Sequence, residues 1–137
     1  MTPEQIEHVN QSWQSIVLMG DTAIAMFYRR LMDIDASSHA LFADTDMRAQ
    51  RVKFMDTFGM CVRSLHDLEE CRPMLEQLGR RHAAVGVEDH HYESVRDALL
   101  TTIESGLGQI LDDHAKDAWN AAFEAITEPM RTAANSS

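Results

Sequence analysis

Leu78-Gly79-Arg80-Arg81-His82-Ala83-Ala84-Val85-Gly86-Val87 is the stretch that decides how this chain folds. It puts a histidine at the end of an amphipathic helix, expected over Met74–Ala84. Val85-Gly86-Val87 forms the exit, and Gly86 suits a residue with positive φ. Taken by itself, His82 is an ordinary histidine near a helix end. The residues to set beside it are Tyr28, Phe42, Gln50 and Tyr92, because the rest of the chain offers no other candidate active centre.

Upstream and downstream of that stretch, apolar residues recur at three- and four-residue spacing, and no alternating run stands out. The pattern predicts an all-α chain. Thr2 with Gln5 reads as a capping box and Pro3 fits the first helical position. Ile6, Val9, Trp13, Ile16 and Val17 form the buried stripe of that helix. Gly20-Asp21 breaks it, with Asp21 expected to cap a second helix that carries Ile24, Phe27, Tyr28 and Leu31 to about Met32 or Ile34. A corner at Asp35–Ser38 leads into a short turn through Leu41-Phe42. Asp44-Thr45-Asp46 caps a long helix from Met47 to about Leu65, with Gln50, Phe54, Thr57, Phe58 and Cys61 on one face. Leu68–Pro73 is read as a connection. Asp89 is the expected cap of the next long helix, which runs to about Gly106. Asp112 or Asp113 opens the last one, and the tail from Ala133 is expected to fray.

The totals bound the function. The chain has 137 residues and a formal charge of −10, with a mass of 15.5 kDa and a pI near 5.0. That length suits a single domain spanning 1–137, with an ordered core of about residues 3–132. An acidic surface repels nucleic acid and anionic membrane, so neither is an expected partner. No apolar run is long enough to span a bilayer. The N-terminus lacks a basic start and an apolar stretch, so no export signal is expected and the cytoplasm is the expected location. Cys61 and Cys71 have no metal-ligand spacing and are expected to be free thiols.

The helix order, long-long-short-long-short-long-long, resembles the globin fold. Phe27-Tyr28-Arg29-Arg30-Leu31-Met32 resembles the second helix of bacterial single-domain globins, which are similar to the haem domain of flavohaemoglobins. Leu41-Phe42 resembles the corner whose phenylalanine wedges against the haem. Gln50-Arg51 and Phe54 resemble the distal face of the long helix. His82 matches the proximal ligand. His91-Tyr92 with Val95, and Asp117-Ala118-Trp119 with Phe123, match the last two helices. The likeness covers about Gln5 to Met130, and it implies a short or absent helix between the third and the long fourth.

The resemblance implies haem b as cofactor, with His82 as the iron ligand and Phe42, Arg81, Val87 and Tyr92 around the macrocycle. Arg81 would pair with a propionate, Val87 would pack on the porphyrin edge, and Tyr92 would hydrogen-bond near His82. It implies Tyr28, Gln50 and Phe54 on the gas-binding side, with the Tyr28 hydroxyl donating to a polar ligand. Dioxygen, nitric oxide and carbon monoxide are the expected ligands. Reversible dioxygen binding for delivery, storage or scavenging is the leading expectation. Nitric oxide dioxygenase activity with a separate reductase is the alternative, and a haem-free sensor or structural module is the third reading. A monomer or a homodimer is expected. Two departures stand out. The flavohaemoglobin pattern sets a glutamate late in the last helix, where this chain has Ala134, and Glu128 is the nearest acid. The second is that no reductase domain is expected to follow. His90 and His91 are expected to face solvent, as are His8, His39, His66 and His114.

Overall fold

Thr2 opens the first helix as its sequence predicts. Its hydroxyl accepts from the Gln5 N–H at 3.1 Å, and the Gln5 side chain accepts from the Thr2 N–H at 2.9 Å. The computed structural model describes residues 1–135, and its regular elements are helices throughout. They are α1 (Pro3–Met19), α2 (Asp21–Ile34), α3 (Ser38–Leu41), α4 (Met47–Arg63), a 3-10 segment (Leu65–Cys71), α5 (Arg72–Ala84), α6 (Asp89–Leu107) and α7 (Asp113–Asn135). No helix separates α3 from α4, as expected. Among the described residues no helix is long and apolar enough to cross a membrane.

Several boundaries differ from the sequence reading, each for a local reason. Asp21 does not cap α2; Gly20 occupies that position without a side-chain bond. Asp21 instead pairs with Arg51 of α4 at 2.8 Å. Asp46 does cap α4, accepting from the Arg48 and Ala49 N–H groups. α4 ends at Arg63, and the expected connection before α5 is the 3-10 segment, with Pro73 inside the first turn of α5. Glu88, rather than Asp89, caps α6, because the His91 ring reaches back to the Glu88 N–H at 2.9 Å. Asp112 caps α7 by accepting from the Ala115 N–H at 2.8 Å. The tail is helical to Asn135 where fraying was expected; Ser136 and Ser137 lie outside the described residues.

α5 lies closely on α7, α2 on α6, and α1 crosses both α6 and α7. Gly79 makes the α5–α7 approach feasible: a methyl group there would overlap the Met130 backbone carbonyl. The core is built from Ile16, Ile24, Phe27, Leu75, Leu99, Ile103 and Trp119, all below 3% exposure. Val17 was expected in the buried stripe of α1 but is exposed, because that stripe narrows to Val9, Trp13 and Ile16. Cys61 is buried and unlinked to the half-buried Cys71, as expected.

Candidate functional site

Phe27 and Tyr28 are adjacent on α2, and both are buried. A helix turns about 100° per residue, so neighbours share a face only when the buried arc is wide. Here it is wide because α4 and α6 both cover α2. Phe27 stacks on Phe54 of α4 with ring centroids 4.6 Å apart. Tyr28 meets Phe54 edge-on at 5.9 Å and Phe42 edge-on at 5.5 Å. Gln50, one turn before Phe54 on α4, donates from Nε2 to the Tyr28 hydroxyl at 3.1 Å. The structure thus brings together Tyr28, Phe42, Gln50 and Phe54, four of the residues singled out in the sequence.

That arrangement fixes the chemistry of Tyr28. Burial pushes its hydroxyl up to about 12, while the Gln50 bond pulls slightly the other way. The phenol stays neutral at any ordinary pH. It accepts from Gln50, so its own hydrogen is uncommitted among the described residues.

His82 lies on the last turn of α5 and is half-buried. Its Nδ1 is 2.8 Å from the Leu78 carbonyl. A carbonyl only accepts, so Nδ1 carries the hydrogen and Nε2 keeps a free lone pair. Burial lowers the pKa of the ring, the Leu78 carbonyl partly opposes this, and the Lys53 charge adds a smaller lowering. His82 is therefore a neutral imidazole with one oriented donor atom.

The other residues singled out near His82 fare differently. Val87 is half-buried against the core, and its N–H donates to the His82 carbonyl at 2.9 Å. Arg81 is exposed and forms no ion pair among the described residues. Tyr92 is buried, but its hydroxyl has no hydrogen-bond partner among the described residues. The structure does not join it to His82, whose Nδ1 is taken by Leu78. Instead the Arg131 guanidinium lies over the Tyr92 ring, 4.8 Å from its centroid. Glu128 does not replace the missing late acid: it turns outward to Arg72 at 3.5 Å. Arg131 was not legible beforehand, since it needs the α6–α7 register to reach Tyr92.

His91 was expected to face solvent but is 6% exposed. Ser37 and the Glu88 N–H hold both of its ring nitrogens, which allows it to be buried. His90 is exposed as expected, as are His8, His39, His66 and His114.

The globin family's sequence profile matches residues 25–130. The chain belongs to the globin family, a family of haem proteins. An anaerobic nitrite reductase of Oryza sativa subsp. indica is 29% identical over 139 residues, covering 95% of this chain and 96% of its own. A flavohemoprotein of Bacillus subtilis is 24% identical over 111 residues, covering 80% of this chain and 28% of its own length. Among solved structures, a bacterial globin from Campylobacter jejuni superposes with a TM-score of 0.82 at 20% identity, covering 98% of this chain and 96% of its own.

The residues present fit an iron porphyrin. A neutral imidazole with Nδ1 held by the Leu78 carbonyl and Nε2 left free is the donor that such an iron needs. The Phe42, Phe54 and Tyr28 rings supply flat apolar walls, and Tyr28 supplies one free O–H among them.

Proposed function

We propose that this chain holds haem b through His82 Nε2 and binds dioxygen reversibly, for delivery, storage or scavenging. Carbon monoxide and nitric oxide are the competing ligands. The observation that carries the reading is the pairing of two prepared groups: an imidazole whose Nδ1–H is fixed on Leu78, and a neutral phenol oriented by Gln50. A bound haem supplies the iron that takes the gas. Everything else falls to the side chains. Leu78 sets the tautomer and ring plane of His82. Phe42 and Phe54 exclude water from the gas side. Tyr28 donates a hydrogen bond to a ligand that carries partial negative charge. A bond to such a group contributes roughly 1.5–3 kcal/mol. Gln50 supports Tyr28 and does not compete with it, because its amide hydrogen already points at the phenol oxygen. Val87 and Phe42 are assigned to the edge and face of the macrocycle, and Arg81 to a propionate.

Tyr92 takes a reduced role in this reading. Its hydroxyl meets no carboxylate among the described residues, and the charged group over its ring is the Arg131 guanidinium. His82 then acts as a neutral donor with little proximal push.

The test is the absorption spectrum of the purified protein in its ferric, ferrous and dioxygen-exposed ferrous states, repeated with His82→Ala. The expected result is a five-coordinate ferrous spectrum that gives a stable dioxygen complex, lost in the variant. A six-coordinate ferrous spectrum, or no haem uptake, would overturn the reading.

The names of the relatives motivate a second reading, redox turnover of a nitrogen oxide. Reducing nitrite to nitric oxide takes one electron and two protons. Dioxygenation of nitric oxide to nitrate needs one electron to restore the ferrous iron. Either route requires a reductase to supply those electrons. Repeated turnover with a supplied reductase supports this reading, and a single stoichiometric burst refutes it.

A further inference from the structure

A second polar cluster joins the end of α2 to the start of α6. Asp35 Oδ2 accepts from the Ser94 hydroxyl at 3.0 Å and lies 2.8 Å from His90 Nδ1. The other ring nitrogen, His90 Nε2, is 3.0 Å from Glu88 Oε2. Asp35 Oδ1 accepts from the Ser37 hydroxyl at 2.6 Å, and that hydroxyl is 2.9 Å from His91 Nε2. His91 Nδ1 accepts from the Glu88 N–H at 2.9 Å.

Counting hydrogens assigns each group a state. His91 Nδ1 receives an N–H, so it carries no hydrogen of its own. Its Nε2 therefore holds the ring hydrogen and donates to Ser37, which donates on to Asp35. His91 is neutral and satisfied. His90 differs, because both of its nitrogens face ionised carboxylates, which only accept. Both nitrogens can donate only when His90 is protonated, so the geometry is that of an imidazolium. Its pKa is raised, chiefly by the hydrogen bond to Asp35. The Ser37 hydroxyl first, then Ser94 and His90, hold the Asp35 carboxyl well below the usual range.

The same count disfavours a metal here. Ligand atoms of Asp35, His90 and His91 lie within 4.8 Å of one another, a span that suits a divalent cation. Yet His91 Nε2 could coordinate only as an imidazolate, or by surrendering the bond that caps α6. His90 would also have to shed a proton held between two carboxylates. The cluster is built around that proton.

We propose that the Asp35–His90–Glu88 bridge is a proton-operated latch, fastening the loop that leaves α5 to the corner that carries Phe42 and releasing it as His90 deprotonates. Both ends of the bridge connect to groups assigned to the haem. On one side, Glu88 follows Val87, whose N–H holds the His82 carbonyl at 2.9 Å. On the other, the Asp35 carbonyl accepts from the Ser38 N–H and hydroxyl at the start of α3, which is followed directly by Phe42. A neutral imidazole has one N–H, so deprotonation removes one of the two carboxylate bonds. It also leaves Asp35 and Glu88 without a cation between them. The charges acting on His90 are these two: Asp35 from the end of α2 and Glu88 from the cap of α6. Ser37, Ser94 and neutral His91 are the remaining groups of the cluster.

The sign follows from the raised His90 pKa. The latch is closed below the ordinary imidazole range and opens as pH rises through the higher folded-state value. Any effect on gas affinity rests on the haem reading above, whereas the latch itself does not.

The test is a pH titration of the histidine rings by NMR on the purified full chain, together with amide hydrogen exchange over residues 86–91. Two short unstructured histidine peptides in the same buffer serve as references. The expected result is a His90 midpoint above both references. Glu88→Gln should move it down toward them, and Asp35→Asn further. Protection of the loop amides, corrected for intrinsic chemistry, should fall several-fold with the same midpoint, and His90→Asn should abolish that pH dependence. A His90 midpoint equal to the references overturns the proposal. So does loop exchange that does not follow it, or stoichiometric zinc binding lost in His90→Asn. Failure of haem uptake would leave these measurements readable, so the two readings fail separately.

Discussion

Tyr28 is held by one bond, from Gln50, and donates none among the described residues. Replacing it with phenylalanine keeps the ring between Phe42 and Phe54 and removes only the hydroxyl. Loss of a charge-assisted bond of roughly 1.5–3 kcal/mol predicts dioxygen dissociation about 10- to 150-fold faster. Stopped-flow displacement by carbon monoxide measures this, and an unchanged rate would remove Tyr28 from the gas side. With the hydroxyl pushed up to about 12, the wild-type rate should owe nothing to Tyr28 ionisation across neutral pH. The two thiols give an independent check. Burial, with a smaller effect of Cys71, pushes the Cys61 thiol up to about 11. Alkylation of the folded chain at neutral pH should therefore label the half-buried Cys71 first, and Cys61 only on unfolding, as peptide mass spectrometry would show.

At the scale of elements, Gly79 is the position most sensitive to change. Gly79→Ala sets a methyl group against the Met130 backbone, which has no rotamer by which to escape. The expected loss is about 1–3 kcal/mol, readable in urea unfolding. Because α5 must move off α7, weaker haem retention should accompany it; a neutral outcome would mean that the crossing yields easily. The sequence showed some of these elements clearly. Thr2 with Gln5, Asp46 and Asp112 cap helices through bonds that span two or three residues, so their signal is local. The cap of α6 is not local. Glu88 prevails over Asp89 because His91 is held by Ser37, 54 residues away in sequence, and no pattern within one helix announces that. The same reason hid Arg131 over Tyr92. Residues whose partners lie on their own helix or share its apolar stripe were readable from local pattern. Tyr28, Phe42, Gln50 and Phe54, which meet across elements, were readable only through the family resemblance.

Over the whole molecule, the formal charge of −10 is only lightly countered by ion pairs. Of those formed between elements, Arg51–Asp21 and Arg72–Glu128 are partly solvent-exposed, and the His90–Asp35 bridge has an exposed imidazole. Exposed pairs contribute little, while like charges repel over the Debye length, about 8 Å at physiological ionic strength. Raising salt from about 0.01 M to about 0.15 M should therefore raise the melting temperature. A fall would show that the surface pairs outweigh the repulsion.

The aromatic packing has one more use. Phe58 lies between the chain's two tryptophans, with centroids 5.1 Å from Trp13 and 6.5 Å from Trp119, and it stacks on Phe54 at 5.4 Å. Both indoles therefore report from one spot, a single ring away from the proposed gas side. Their fluorescence should be quenched together by an absorbing molecule lodged against Phe54. The polypeptide thus contains its own optical probe, and uptake of a pigment could be titrated at micromolar concentration without any added label.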